Sequence, residues 1–128
     1  MYTVSYAEEM VETKTQQIGD VTVVEMSGRL HLGNSLMYAE NSINKLIEGG
    51  TRKLVIDLAK LEYLDSSGLG MLIGCSGRME QNGGRMRVAC AGGPVAQVFE
   101  LVHAERILQF DADLETACRN LSAERAAG

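Results

Sequence analysis

Between residues 63 and 70 the chain reads Tyr63-Leu64-Asp65-Ser66-Ser67-Gly68-Leu69-Gly70, setting an acid, two hydroxyls and two glycines in one short run. The preceding segment, Lys53-Leu54-Val55-Ile56-Asp57-Leu58, reads as a buried strand, because aliphatic and β-branched residues crowd a short stretch bounded by polar ones. Leu69, Leu72, Ile73, Ser76 and Met79 follow at helical spacing and suit one buried face. Asp65 and Ser66 therefore fall where a strand hands over to a helix. Free backbone N–H groups and the positive end of the helix dipole point outward at such a junction, so a negative charge is favoured there.

Asp and Ser are also the preferred N-cap residues, and a helix needs a cap whether or not its protein does anything there. One cap needs one side chain, whereas this junction offers three in a row. Gly68 and Gly70 then follow, each costing about 1 kcal/mol of helix stability relative to alanine. Glycines kept in a first helical turn point to a close approach of something to the backbone.

Other chemistries fit the chain less well. Gly68-x-Gly70-x-x-x-Gly74 is one residue too long for the dinucleotide fingerprint, and Cys90-Ala91-Gly92-Gly93 stands where that fingerprint wants an acid for the ribose. In Gly74-Cys75-Ser76-Gly77 the second glycine comes too early for a nucleophile elbow, and Ser76 falls mid-helix. A hydrolase would need His31 or His103 as base, and His103 near a helix end is accounted for by the dipole. No C-x-x-C, H-E-x-x-H or Walker A pattern occurs, so neither a metal nor another cofactor is expected.

The elements that must position the junction can be read along the chain. Residues 1–12 form an expected N-terminal arm, residues 13–122 one domain and residues 123–128 a tail. Thr13 to Ile18 and Val21 to Met26 make a hairpin around Gly19-Asp20. Leu36, Ala39, Ile43, Leu46 and Ile47 trace an amphipathic helix that stops at Gly49-Gly50. Strand Leu54 to Leu58, a helix from Ser66 to Gln81 and strand Met86 to Ala91 come next. Gly92-Gly93-Pro94 opens a helix with Val95, Val98, Phe99 and Val102 inward. A short strand over Leu108 to Phe110 and a helix from Asp113 to Leu121 complete an α/β order with a mixed, mostly parallel sheet and about four helices.

A chain of 128 residues supplies one core. Its net charge of −5, with Arg78, Arg85, Arg87, Arg106 and Arg119 dispersed among acids, argues against a nucleic-acid surface. No apolar run approaches the roughly 18 residues that would cross a bilayer, and no signal-peptide pattern opens the chain, so a cytoplasmic protein without membrane insertion is expected. Cys75, Cys90 and Cys118 are odd in number and scattered, which fits reduced thiols, with Cys75 and Cys90 read as core packing.

The block Leu54 to Gly74, and above all Asp65-Ser66-Ser67-Gly68-Leu69-Gly70, resembles the STAS-domain family of anti-sigma-factor antagonists. Ile18 to Leu30 looks like that family's opening hairpin and following strand, and Gly83-Gly84-Arg85-Met86-Arg87-Val88-Ala89 like its fourth strand. The likeness runs from about Thr13 to Leu121. It implies that Ser66 is the residue phosphorylated by a partner that is both anti-sigma factor and serine kinase. Asp65, Ser67, Gly68, Leu69 and Gly70 would then form the partner contact. The unmodified form would bind the kinase and free the sigma factor, and a serine phosphatase acting on phospho-Ser66 would restore it. His31-Leu32-Gly33 departs from the pattern, since relatives often carry an acid after Gly-Arg-Leu. The resemblance also admits a scaffold or an accessory subunit of a signalling assembly or membrane transporter, and a nucleotide-binding enzyme is the remaining alternative of another class.

Overall fold

The structure is a computed structural model that describes residues 11–123. Strand β1 (Val11–Ile18) pairs antiparallel with β2 (Val21–Leu30), and β3 (Lys53–Leu64), β4 (Arg85–Ala89) and β5 (Phe110–Asp111) follow in parallel, giving a five-stranded sheet of order β1-β2-β3-β4-β5. Helices α1 (Asn34–Glu48), α2 (Ser66–Gln81) and α3 (Gly93–Leu101) connect the parallel strands, a 3-10 turn spans Ala104–Arg106, and α4 (Leu114–Ala123) closes the described chain. Parallel strands that neighbour one another in sequence order, joined by crossovers of one hand, carry their helices on one face.

That rule divides the core in two. Val24, Met26, Leu54, Ile56 and Leu58 pack against Ala39 and Ile43 of α1, Leu72 and Met79 of α2, and Val95 and Phe99 of α3. On the opposite face Val21, Val23, Val55 and Ala89 meet Ala117 and Leu121 of α4, with Cys90, Leu114 and Cys118 packed around them. β3 is covered on both sides, which explains its unbroken apolar run.

The hairpin turn has Gly19 at φ 61 in its first central position, a conformation that a glycine adopts without penalty. Asp20 beside it bonds the Lys53 ammonium at 2.5 Å and the Ser122 hydroxyl at 3.3 Å, tying the turn to β3 and α4. β1 takes in Val11 and Glu12 ahead of the expected Thr13, because the Val11 side chain is buried in the core opposite Gly28. The rest of the expected arm, residues 1–10, and the tail beyond Ala123 lie outside the described residues.

Two strands run further than their apolar patterns predict. β2 continues past Met26 to Leu30 and β3 past Leu58 to Leu64, although Ala59, Lys60, Glu62 and Tyr63 are exposed. They lengthen together through register shifts between Glu25 and Ser27 and between Gly28 and Arg29. Backbone pairing, with Leu30, Leu61 and Leu64 as buried anchors, substitutes there for a continuous apolar face. β4 ends at Ala89, and Cys90 turns out of it at φ 65. β5 is Phe110–Asp111, displaced from the expected Leu108–Phe110, while Leu108 is a core residue ahead of the strand. Val102, expected inward, is 52% exposed at the end of α3.

Candidate functional site

The extension of β2 and β3 is what builds the junction. Leu30, the last residue of β2, accepts a hydrogen bond through its carbonyl from the Asp65 N–H at 3.2 Å. Asp65 is the N-cap of α2, with extended backbone. Its Oδ1 accepts from the Gly68 N–H at 2.8 Å, and its Oδ2 from the Leu32 N–H at 3.1 Å. One carboxylate thus fastens the first turn of α2 to the loop between β2 and α1.

Burial opposes the charge of Asp65, yet the N–H groups of Gly68, Leu32 and Ser67, together with nearby His31, outweigh it and hold the carboxyl below its ordinary pKa. The anion position at this helix N-terminus is already filled from within the chain.

Ser66 is the first helical residue and is exposed. Among the described residues no group hydrogen-bonds its hydroxyl, and the adjacent carboxylate is committed to backbone donors. The site therefore offers a free primary alcohol without a base bonded to it. Ser67 is half-buried and supports the turn through its N–H.

The two glycines do different things. A Cβ on Gly68 would stand 2.7 Å from the Leu30 carbonyl oxygen, 3.0 Å from Leu64 Cδ1 and 3.1 Å from Leu30 Cγ. Gly68 is buried, so its missing side chain serves the close packing of α2 on the end of β2 and not an approach from outside. Leu69 is also buried, 7% exposed, and belongs to the core. Gly70 is exposed and has nothing within 4 Å of an added Cβ, so here the backbone is open to a visitor.

Sequence reasoning missed the side chains at the end of β2 and β3 and in the loop that follows β2. Leu32 is 71% exposed although its N–H is held by Asp65, and Met37 in the first turn of α1 is also exposed. The Arg29 guanidinium lies 4.3 Å from the centre of the Tyr63 ring, and His31 meets the same ring edge-on at 6.3 Å. Arg29 and Tyr63 are partners in the sheet register, which is a tertiary fact. The one local sign was an apolar Leu32 between His31 and Gly33, where a loop ordinarily has no use for it. His103 stands just past the C-cap of α3, as expected, in the left-handed conformation at φ 54 with its N–H on the Glu100 carbonyl, and its exposed ring faces Glu105 at 3.3 Å.

The remaining chemical candidates do not converge. Cys75 is buried, and burial raises its thiol pKa. Cys90 is pushed up to about 11 by burial and then by the Asp57 charge, so neither is an activated nucleophile. Among the described residues no group of three His, Cys, Asp or Glu side chains could hold a metal ion, and no helix is long and apolar enough to cross a membrane.

An open α/β sheet with three helices on one face and one on the other, carrying a capped and solvent-facing serine at the end of its third strand, defines a small domain that presents a surface. The STAS domain profile matches residues 12–117, and the chain belongs to that family. Similar proteins include the anti-sigma F factor antagonist of Paenibacillus polymyxa, 30% identical over 81 residues, which are 63% of this chain and 69% of the relative. An anti-sigma factor antagonist from Mycobacterium paratuberculosis has a similar fold, with a TM-score of 0.82, 22% identity and coverage of 91% of this chain and 97% of that one. The phosphorylated form of the Bacillus cell fate determinant SpoIIAA is similar with a TM-score of 0.65 at 18% identity, over 85% of this chain and 99% of that one.

Proposed function

We propose that this protein is an anti-sigma-factor antagonist whose binding to an anti-sigma factor with serine kinase activity is switched by phosphorylation of Ser66. The observation that carries the reading is the Ser66 hydroxyl itself. It is exposed, it has no hydrogen bond among the described residues, and the Asp65 carboxylate beside it in the chain holds the N–H of the exposed Leu32. A docked partner would meet the hydroxyl in the first turn of α2, beside the loop that Asp65 fastens to it. The names of the curated relatives support the antagonist role, and a related fold observed in a phosphorylated form supports the switch.

In this reading Ser66 accepts the phosphoryl group, Asp65 and Ser67 hold the turn, and Gly70 leaves room for the kinase. Gly68 and Leu69 act from below by fixing α2 on β2. Phosphorylation adds about −1.5 to −2 charges to a surface that must be desolvated on docking, so the modified form lets go and a serine phosphatase resets it. The test is reaction of the purified protein with its cognate kinase and ATP, followed by peptide mass mapping. Modification confined to Ser66, absent in Ser66→Ala, is the expected result. Modification confined to Ser67 or to a site elsewhere overturns the assignment.

A further inference from the structure

At the outer edge of the sheet, beyond the carboxyl ends of β4 and β5, α3 and the 3-10 turn leave a crevice of about 590 Å³ that opens to solvent. Crevices at the carboxyl ends of parallel strands are where open α/β sheets take ligands, and this volume lies within the range of small-molecule sites. Its apolar lining is Ala91, Ala96, Ala112 and the rings of Phe99 and Phe110, whose centres lie 4.8 Å apart. The core does not fill it, because β5 has only two residues and the chain between α3 and β5 passes through the 3-10 turn.

Two features mark the crevice as more than a packing fault. The non-glycine residues with positive φ among those described are Cys90 at 65° and His103 at 54°, and they bracket α3. Cys90 delivers Ala91 to the lining, and His103 itself lines it. The left-handed residue His103 ends α3 with its N–H on the Glu100 carbonyl, and Cys90 turns the chain out of β4, so the two turns fix the lining residues on either side of the helix.

The charges decide what could enter. The ionisable lining groups are Glu100, His103, Glu105 and Asp111, with no lysine or arginine. Asp111 is engaged by the Arg87 guanidinium and by the Asn120 amide, and His103 faces Glu105. Glu100 and Glu105 are exposed carboxylates over an aromatic floor, an arrangement that attracts a cation and repels carboxylates and phosphates. We propose that this crevice is a binding site for a small amphipathic cation, a primary amine carried on an aromatic body. The aromatic body would rest against Phe99 and Phe110 and the ammonium group would lie toward Glu100 and Glu105. The site is separate from the Ser66 junction, which follows β3, and does not depend on the switch.

The test is amide NMR on the isotopically labelled chain titrated with tryptamine and, in parallel, with indole-3-acetate, which keeps the indole ring and reverses the charge. Saturable shifts with tryptamine at Ala91, Ala96, Phe99 and Phe110, with indole-3-acetate at least several-fold weaker, are expected. Glu100→Gln combined with Glu105→Gln should weaken tryptamine about fivefold, in keeping with two solvent-screened charge contacts. Ala96→Leu, which fills the crevice, should abolish the shifts while the rest of the spectrum stays folded. Equal response to both indoles would overturn the charge argument, and absence of saturable shifts at these amides with tryptamine would overturn the site.

Discussion

Alanine placed separately at Gly68 and at Gly70 should move stability in opposite directions, although the two glycines lie two residues apart in the same helical turn. Replacing glycine by alanine in a helix gains up to about 1 kcal/mol from the lower entropy of the unfolded chain. At Gly70 nothing stands within 4 Å of the new Cβ, so that gain is kept. At Gly68 the Cβ would press on the Leu30 carbonyl oxygen at 2.7 Å, where carbon and oxygen ordinarily keep at least about 3.3 Å. The obstacle is backbone, and the same carbonyl accepts the Asp65 N–H, so α2 must lift as a unit from the end of β2. Overpacking of this kind costs about 1–3 kcal/mol. The propensity gain is common to both variants and cancels in their difference, leaving Gly68→Ala about 1–3 kcal/mol less stable than Gly70→Ala. In a domain of this size that corresponds to a gap of roughly 4–12 °C in Tm. Calorimetric melting of the two variants measures it. Equal shifts would show that the Leu30 contact relaxes freely and that packing is not the reason for a glycine at 68. A kinase titration adds a second reading, in which Gly70→Ala stays folded and binds more weakly.

Asp65→Ala should cost about 1 kcal/mol at neutral pH through loss of the cap and of the tether to Leu32. Because the folded-state pKa of Asp65 is depressed, its contribution is fully present above the unfolded value near 4 and is lost as pH falls through the lower folded value. Denaturant melts of both proteins from pH 7 down to pH 2 should therefore converge only at the acid end, and a constant gap would contradict the ionised cap. Asp111→Ala removes a carboxylate that is 5% exposed in the fold and is held by the Arg87 guanidinium and the Asn120 amide, and a loss of about 3 kcal/mol is expected in urea unfolding. Arg87→Met combined with Asp111→Leu should lose far less than the sum of the single changes, and full additivity would deny the coupling. Ser66→Asp should abolish kinase binding in a titration while Tm stays within a few degrees, whereas Ser66→Ala should bind and resist release. Loss of binding by Ser66→Asp through unfolding would refute the interface mechanism.

The parts of this fold that local chemistry controls were legible in the chain. Gly19-Asp20 and Gly49-Gly50 end elements because of their backbone freedom, and Asp65 caps α2 as its type and place predict. What escaped is pairing at long range. Nothing within Ala59 to Tyr63 marks those residues as strand, since all but Leu61 are exposed, and they are strand because β2 runs beside them. Gly68 shows the same limit at the scale of one residue. Its type correctly announced a close approach, but only the position of Leu30 reveals that the approaching group belongs to the chain itself. Exposure of Leu32 and the stacking of Arg29 on Tyr63 likewise exist only once β2 and β3 end together.

The location of Asp65 bears on why a phosphate at Ser66 would act between molecules and leave the fold alone. The carboxylate already takes the Gly68 and Leu32 N–H groups, so a phosphate on the neighbouring residue could not settle into that position without displacing it. It would face outward into water. Two added charges about 6 Å from the Asp65 carboxylate repel it by roughly 1–2 kcal/mol at the dielectric of water. The helix dipole returns about 0.3–1 kcal/mol. The balance is about 1 kcal/mol, small against the 5–15 kcal/mol typical of a folded domain. Under a docked partner the same charge must shed its water, at an effective cost of several kcal/mol per ion that the helix dipole is too small to offset, with Asp65 close by. An outlay of about 4 kcal/mol already weakens binding nearly a thousandfold. In the proposed switch, filling the helix terminus with its own aspartate would make the junction a poor cradle for phosphate and, for the same reason, a sharp discriminator of whether Ser66 carries one.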